Sequence, residues 1–101
     1  MDGNIEVIRR AMRALGDPFR WDLVQLLAER GEVGLSELAP EVALGKSTVS
    51  YHLRLLREAH LITVRNDGRN RFVQLDRAQV DVVVTMMHNE FSRMLRIELS
   101  A

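Results

Sequence analysis

A mainly α-helical domain with one small β-hairpin is the fold class this chain predicts, and three observations carry it. Apolar residues recur at helical spacing over five stretches, one alternating stretch folds back around Asp67-Gly68, and both ends carry apolar stripes. The chain has 101 residues, 47% hydrophobic and 28% charged, with two prolines. It therefore reads as one domain over residues 1–101, without linkers, repeats or low-complexity segments.

The first stripe is Ile5, Ile8, Met12 and Leu15, spaced three or four residues apart, which predicts a helix over about 4–15. Asp17-Pro18 then starts a second helix as an N-cap followed by proline at the first helical position. Phe19, Leu23, Val24 and Leu27 mark its buried face, and Gly31 ends it. Ser36 is expected to cap a shorter helix through Leu38, Ala39 and Val42, and Pro40 inside its first turns, where the cost is lower than mid-helix but not zero, predicts a short or partly irregular element. Leu44-Gly45 follows as a turn, and Ser47 is expected to cap the next helix.

That helix, through Glu58, buries Val49, Leu53 and Leu56 and leaves Ser47, Thr48, Ser50, Tyr51 and Arg54 outward. Residues 36–58 thus read as a helix-turn-helix. Residues 61–75 read as a hairpin: Ile62 and Val64 alternate with Thr63 and Arg65, Val73 and Leu75 alternate with Phe72 and Gln74, and Asp67-Gly68 supplies the turn. A long amphipathic helix follows Asp76, over about 76–99, with Val80, Val83, Val84, Met87, Phe91, Met94 and Leu95 on one face.

A polar helix face running into a basic hairpin points to DNA. Hydroxyls, a tyrosine and an arginine can bond base edges or phosphates, and the major groove admits a helix. Charge is polarised to match: the chain has 14 basic and 14 acidic residues, yet within residues 46–71 Lys46, Arg54, Arg57, Arg65, Arg69 and Arg71 face only Glu58 and Asp67. That segment is basic inside a neutral chain, as a phosphate-contacting surface requires. The expected DNA contacts are Ser47, Thr48, Ser50, Tyr51, His52 and Arg54 in the major groove, Lys46 on phosphate, and Arg69, Asn70 and Arg71 on backbone or minor groove. His52, beside the buried face, reads equally as a packing residue. His60 closes the helix, where a cation suits the dipole.

The terminal stripes carry more apolar surface than one small domain can cover, so Ile5, Ile8, Met12, Val80, Val84, Met87, Phe91 and Met94 are expected at a homodimer interface. An intramolecular core is the other use for them. Val82, Met86, Ile97 and Leu99 lie outside the stripe.

Four segments carry a family resemblance: Ala14-Leu15-Gly16-Asp17-Pro18-Phe19-Arg20, Ser36-Glu37-Leu38-Ala39, Ser47-Thr48-Val49-Ser50-Tyr51-His52-Leu53-Arg54-Leu55-Leu56-Arg57-Glu58-Ala59, and Asp67-Gly68-Arg69. In this order and spacing, over residues 5–99, the chain resembles the ArsR family of bacterial winged helix-turn-helix repressors. The resemblance implies a homodimer that sits on double-stranded operator DNA and is released by a metal or another effector.

The family's sensing sites do not carry over. With no cysteine, thiolate metal sites and disulfide switches are excluded, and the helix that holds a cysteine pair in arsenic and cadmium sensors reads Leu35-Ser36-Glu37-Leu38-Ala39. Of the zinc or nickel site on the last helix only Asp76 survives, the other positions being Ala78, Asn89 and Ser92. No metal or cofactor is therefore expected, and the effector is unidentified.

Two alternatives stand beside a repressor: a protein-interaction module that keeps the fold, and a metal-responsive repressor using His88 with carboxylates across the dimer. Trp21 and the Met12, Met86, Met87, Met94 set read as core or interface filling before an effector pocket. No nucleophile with a paired base, phosphate loop or ligand cluster suggests an enzyme. Met1 to Glu6 lacks the features of a signal peptide and no apolar run approaches membrane length, so no membrane association and a cytoplasmic protein are expected.

Overall fold

The computed structural model describes residues 2–41 and 45–100, and the side chains of residues 3–38, 45 and 47–97. The elements are α1 (Asp2–Leu15), α2 (Pro18–Arg30), β1 (Val33–Gly34), α3 (Leu35–Glu41), α4 (Lys46–Glu58), β2 (Ile62–Asp67), β3 (Asn70–Leu75) and α5 (Arg77–Ser100). Mainly helical with a small sheet is the class the sequence predicts.

Helix α2 starts as expected. The Asp17 carboxylate accepts from the Phe19 and Arg20 amides at 2.9 and 3.1 Å, and Pro18 occupies the first turn, where no amide is missed. The Arg20 amide, then burial working against it, then the Arg20 charge decide the Asp17 titration, which falls below the ordinary carboxylate range. Gly31 ends the helix at φ 77°, a conformation that glycine adopts without a Cβ clash.

Two expected caps are corrected. Helix α3 begins at Leu35, so Ser36 lies inside its first turn: the Val33–Gly34 strand leads straight into the helix and starts it two residues early. Helix α4 is capped by Gly45, in extended backbone with its carbonyl accepting from Val49 N–H at 3.0 Å. Ser47 is the second helical residue, its side chain exposed. Val42 and Leu44, and the side chains of Ala39, Pro40, Lys46 and Leu99, lie outside the described residues.

The end of α4 is a Schellman motif: His60 N–H bonds the Arg57 carbonyl at 2.9 Å and Leu61 N–H the Leu56 carbonyl at 3.0 Å. His60 takes φ 61°, the left-handed region, and is the non-glycine residue to do so among those described. Buried Leu56 and Leu61 supply the apolar contact this motif favours.

The hairpin turn is shifted by one residue. Asp67 pairs with Asn70, so Gly68 and Arg69 form the tip, and Gly68 alone takes positive φ, at 61°. A positive angle at only the first central residue is the II′ pattern, which needs glycine there. Strand β1 has no counterpart in the sequence reading. It adds to β3 through Val33–Val73 and Gly34–Phe72, giving a three-stranded antiparallel sheet of order β1-β3-β2.

One core unites these elements: Leu23 and Leu27 of α2, Leu38 of α3, Val49, Leu53 and Leu56 of α4, Ile62 and Val73 of the sheet, and Val83 of α5. Asp76 caps α5 through the Gln79 amide at 3.0 Å, and Arg77 bonds the Ala28 carbonyl at 3.0 Å, fixing the start of α5 against the end of α2. Of the residues expected at an interface, Ile8 is buried in the chain's own core, with Val80 and Met87 packed against it and Ile5 half-buried. Met12, Val84, Phe91 and Met94 are about half exposed, at 48, 56, 52 and 49%. Leu95 and Ile97 extend that apolar surface.

Candidate nucleic-acid interface

The buried stripe Val49, Leu53 and Leu56 fixes the rotation of α4, and this decides where every other side chain of the helix goes. Ser47, Thr48, Ser50, Tyr51 and Arg54 stand exposed on the opposite side. The Arg54 guanidinium lies over the Tyr51 ring, 5.5 Å from its centroid, so the two form one stacked unit on the open face. No side chain caps the first turn of α4, which leaves its amides free of side-chain partners beside this face.

The two flanks of α4 differ. On one, Ser50, Arg54 and Arg57 meet Arg71 and Val64 of the hairpin around a hollow of about 70 Å³. Three arginines from helix and hairpin thus line one cleft, a favourable surround for a phosphate oxygen. Arg57 was counted in the basic segment but not among the contacts; its place beside Arg71 depends on the angle of the hairpin, which helical spacing does not give. Farther out, Arg69, Asn70 and Arg71 are exposed and border a second hollow, of about 330 Å³, with Ser36 and Glu37 of α3.

On the other flank His52 turns away from the expected contact set. Its half-buried ring packs on Phe19 at 4.6 Å between centroids, and Nδ1 lies 3.0 Å from the Arg20 guanidinium. The packing alternative describes this side chain better, because helix α2 passes close enough to occupy it.

Arg65 is likewise committed. Its guanidinium donates to both Glu32 oxygens, at 2.8 and 3.1 Å, and stacks 4.5 Å from the Phe72 centroid. The hydrogen bond from Arg65 holds the Glu32 carboxyl below its ordinary range and raises the guanidinium in turn. The half-exposed guanidinium is therefore tied to Glu32, just before β1, and to the facing strand β3. Glu32 lies far away in sequence, so counting charges over residues 46–71 could not include it.

The arrangement is one that other proteins share. A family model described as a helix-turn-helix domain matches residues 15–65. The solved structure of an ArsR-like transcriptional regulator from Rhodococcus sp. RHA1 superimposes with a TM-score of 0.85 at 19% identity, over 97% of this chain and 92% of that one. An HTH-type transcriptional regulator of Mycobacterium tuberculosis, Rv2034, is 34% identical over 86 residues, which span 85% of this chain and 79% of its own length. The chain belongs to the ArsR family of helix-turn-helix transcriptional regulators.

Another solved ArsR-like structure, a homodimeric winged helix-turn-helix DNA-binding domain from Mycobacterium bovis, matches with a TM-score of 0.69 at 22% identity, over 93% of this chain and 84% of that one. In this ArsR-family chain the β2–β3 hairpin follows α4 directly, the order that a winged helix-turn-helix fold requires. Among the described residues, no three His, Asp or Glu side chains come together as a metal site would require, and Asp76 serves as the cap of α5. His88 and Asp81 are exposed on α5. No helix among the described residues is long and apolar enough to cross a membrane.

Proposed function

We propose that this ArsR-family regulator acts as a cytoplasmic homodimeric repressor, laying α4 in the major groove of operator DNA and leaving when an effector shifts its shape. The observation that carries the reading is the open polar face of α4 continuous with a basic cleft shared with the wing. Ser47, Thr48, Ser50, Tyr51 and Arg54 supply base or phosphate contacts, Lys46 and Arg57 hold phosphate, and Arg69, Asn70 and Arg71 reach backbone or minor groove. His52 acts from behind this face.

Pairing of two copies is supported by the exposed Met12, Val84, Phe91, Met94 and Leu95, an apolar surface that water alone would cover at a cost. The homodimeric Mycobacterium bovis domain has the same fold. Two-fold symmetry would set paired α4 helices about 34 Å apart, one turn of duplex.

Selection from a pool of random duplexes by the purified protein tests this reading, followed by fluorescence anisotropy at two salt concentrations. Enrichment of a two-fold symmetric site, bound more weakly at higher salt, is the expected result. Failure to enrich any sequence at low salt would overturn it.

A further inference from the structure

Arg20 makes more contacts than its place on α2 explains. Its Nε donates to the Ala14 carbonyl at 2.7 Å and one terminal nitrogen approaches the Arg13 carbonyl at 3.4 Å, both in the last turn of α1. Its other terminal nitrogen lies 3.0 Å from Nδ1 of His52, on α4. One guanidinium therefore joins the end of α1, the start of α2 and the DNA-reading helix. The Phe19 ring, 4.6 Å from the imidazole, holds it against that fork.

The chemistry fixes more than position. A guanidinium has only donors, so Nδ1 of His52 must accept, and the proton of the neutral ring then sits on Nε2. None of the hydrogen bonds among the described residues involves Nε2, and no buried side-chain polar atom is left without a partner. Nε2 therefore reaches solvent and presents a donor there. Tyr51, which stands edge-on to the imidazole at 5.3 Å, and Arg54 above it carry the effect outward along the open face.

We infer that Arg20 is a positioning residue: it holds His52 in the Nε2–H tautomer and yokes the DNA-reading helix to the end of α1. The inference rests on α4 being the helix that reads DNA. Since α1 carries part of the surface assigned to pairing, Arg20 is a hydrogen-bonded link between one pairing helix and base recognition. A lysine at this position keeps the charge, and with it the long-range pull on DNA, but one ammonium cannot span all three acceptors.

Two measurements test it. Nitrogen-15 correlation spectra of the histidine side chains, on the whole protein without DNA at a pH where histidine is neutral, read the tautomer. An Nε2–H pattern for His52 that is lost in Arg20→Met is expected, and an Nδ1–H pattern in the wild type would overturn the inference whatever the fate of the DNA reading. Anisotropy then compares the duplex that the protein selects with a scrambled one. Arg20→Lys and His52→Leu should each lower the ratio of the two affinities about tenfold, the double variant no further, and His52→Asn, whose Oδ1 can accept in place of Nδ1, should recover most of it. Additive losses, or equal losses on both duplexes, would show Arg20 to be merely structural. If no duplex is enriched, the DNA reading falls and the tautomer alone decides.

Discussion

Helices α4 and α5 are each held to the core by one apolar stripe, yet they turn opposite chemistry outward. Helix α4 buries Val49, Leu53 and Leu56 almost completely and exposes hydroxyls, Tyr51 and arginines. Helix α5 buries Val83, half-buries Val80 and Met87, and then leaves Val84, Phe91, Met94, Leu95 and Ile97 in the open. A helix whose apolar residues are all used internally is complete and offers its polar side to a polar partner. One whose apolar surface exceeds what its own domain covers is incomplete, and in the proposed homodimer a second copy of the same surface completes it.

The largest effect that could break this contrast is on α5. Changing Phe91 and Met94 together to aspartate should weaken pairing by about hundredfold or more, because two charges would be forced into an apolar contact, while helix content stays constant. Sedimentation equilibrium measures the first and circular dichroism the second; an unchanged mass would remove the assigned interface. On α4 the counterpart is inward. Leu56→Ala should cost about 2–5 kcal/mol in urea unfolding, the range for a fully buried leucine, whereas Val84→Ala should leave the stability of the unpaired chain nearly unaltered.

Smaller effects divide the polar face. Arg54→Ala should lose about 1–3 kcal/mol of discrimination between the selected and mismatched duplexes. Arg69→Ala, at the wing tip, should weaken all duplexes alike and reduce the slope of log affinity against log salt by about one. Equal behaviour of the two variants would erase the division between helix and wing. His60→Gly should stabilise the chain by about 0.5–1 kcal/mol, since glycine meets no Cβ penalty at φ 61°.

The mildest expectation concerns pH. Glu32 and Asp17 titrate lower in the folded chain than their ordinary values, the first through Arg65 and the second through the α2 amides. Their contributions are complete above the ordinary carboxylate range and are lost as pH falls through it toward the lowered folded values. Acid titration of Glu32→Gln should therefore show a shallower decline in stability than the wild type. A steeper decline would contradict the pairing.

Sequence alone shows what is local or periodic. Asp17-Pro18 and Gly31 bound α2 because caps depend on a few adjacent residues, and the rotation of α4 follows from three apolar positions. The larger errors come from contacts between distant segments. Strand β1 is two residues long and exists by pairing with β3, which also starts α3 ahead of Ser36. Glycine caps α4 where Ser47 was expected, a preference too weak to separate the two by type alone. Helical spacing leaves His52 open between a DNA contact and packing, and a charge count cannot pair Arg65, because Phe19, Arg20, Glu32 and Phe72 reach them only after folding. The excess on α5 is visible as a stripe, but its division between buried Val83, half-buried Val80 and Met87, and exposed Phe91 and Met94 required the packed core.

Hydroxyl-radical footprinting of the protein on its selected duplex tests the central claim most directly. Two copies presenting α4 outward predict two protected segments centred about 10 base pairs apart, on one face of the duplex, with flanking protection that disappears in Arg69→Ala. A single protected segment, or protection unaffected by changes on α4 and the wing, would contradict it.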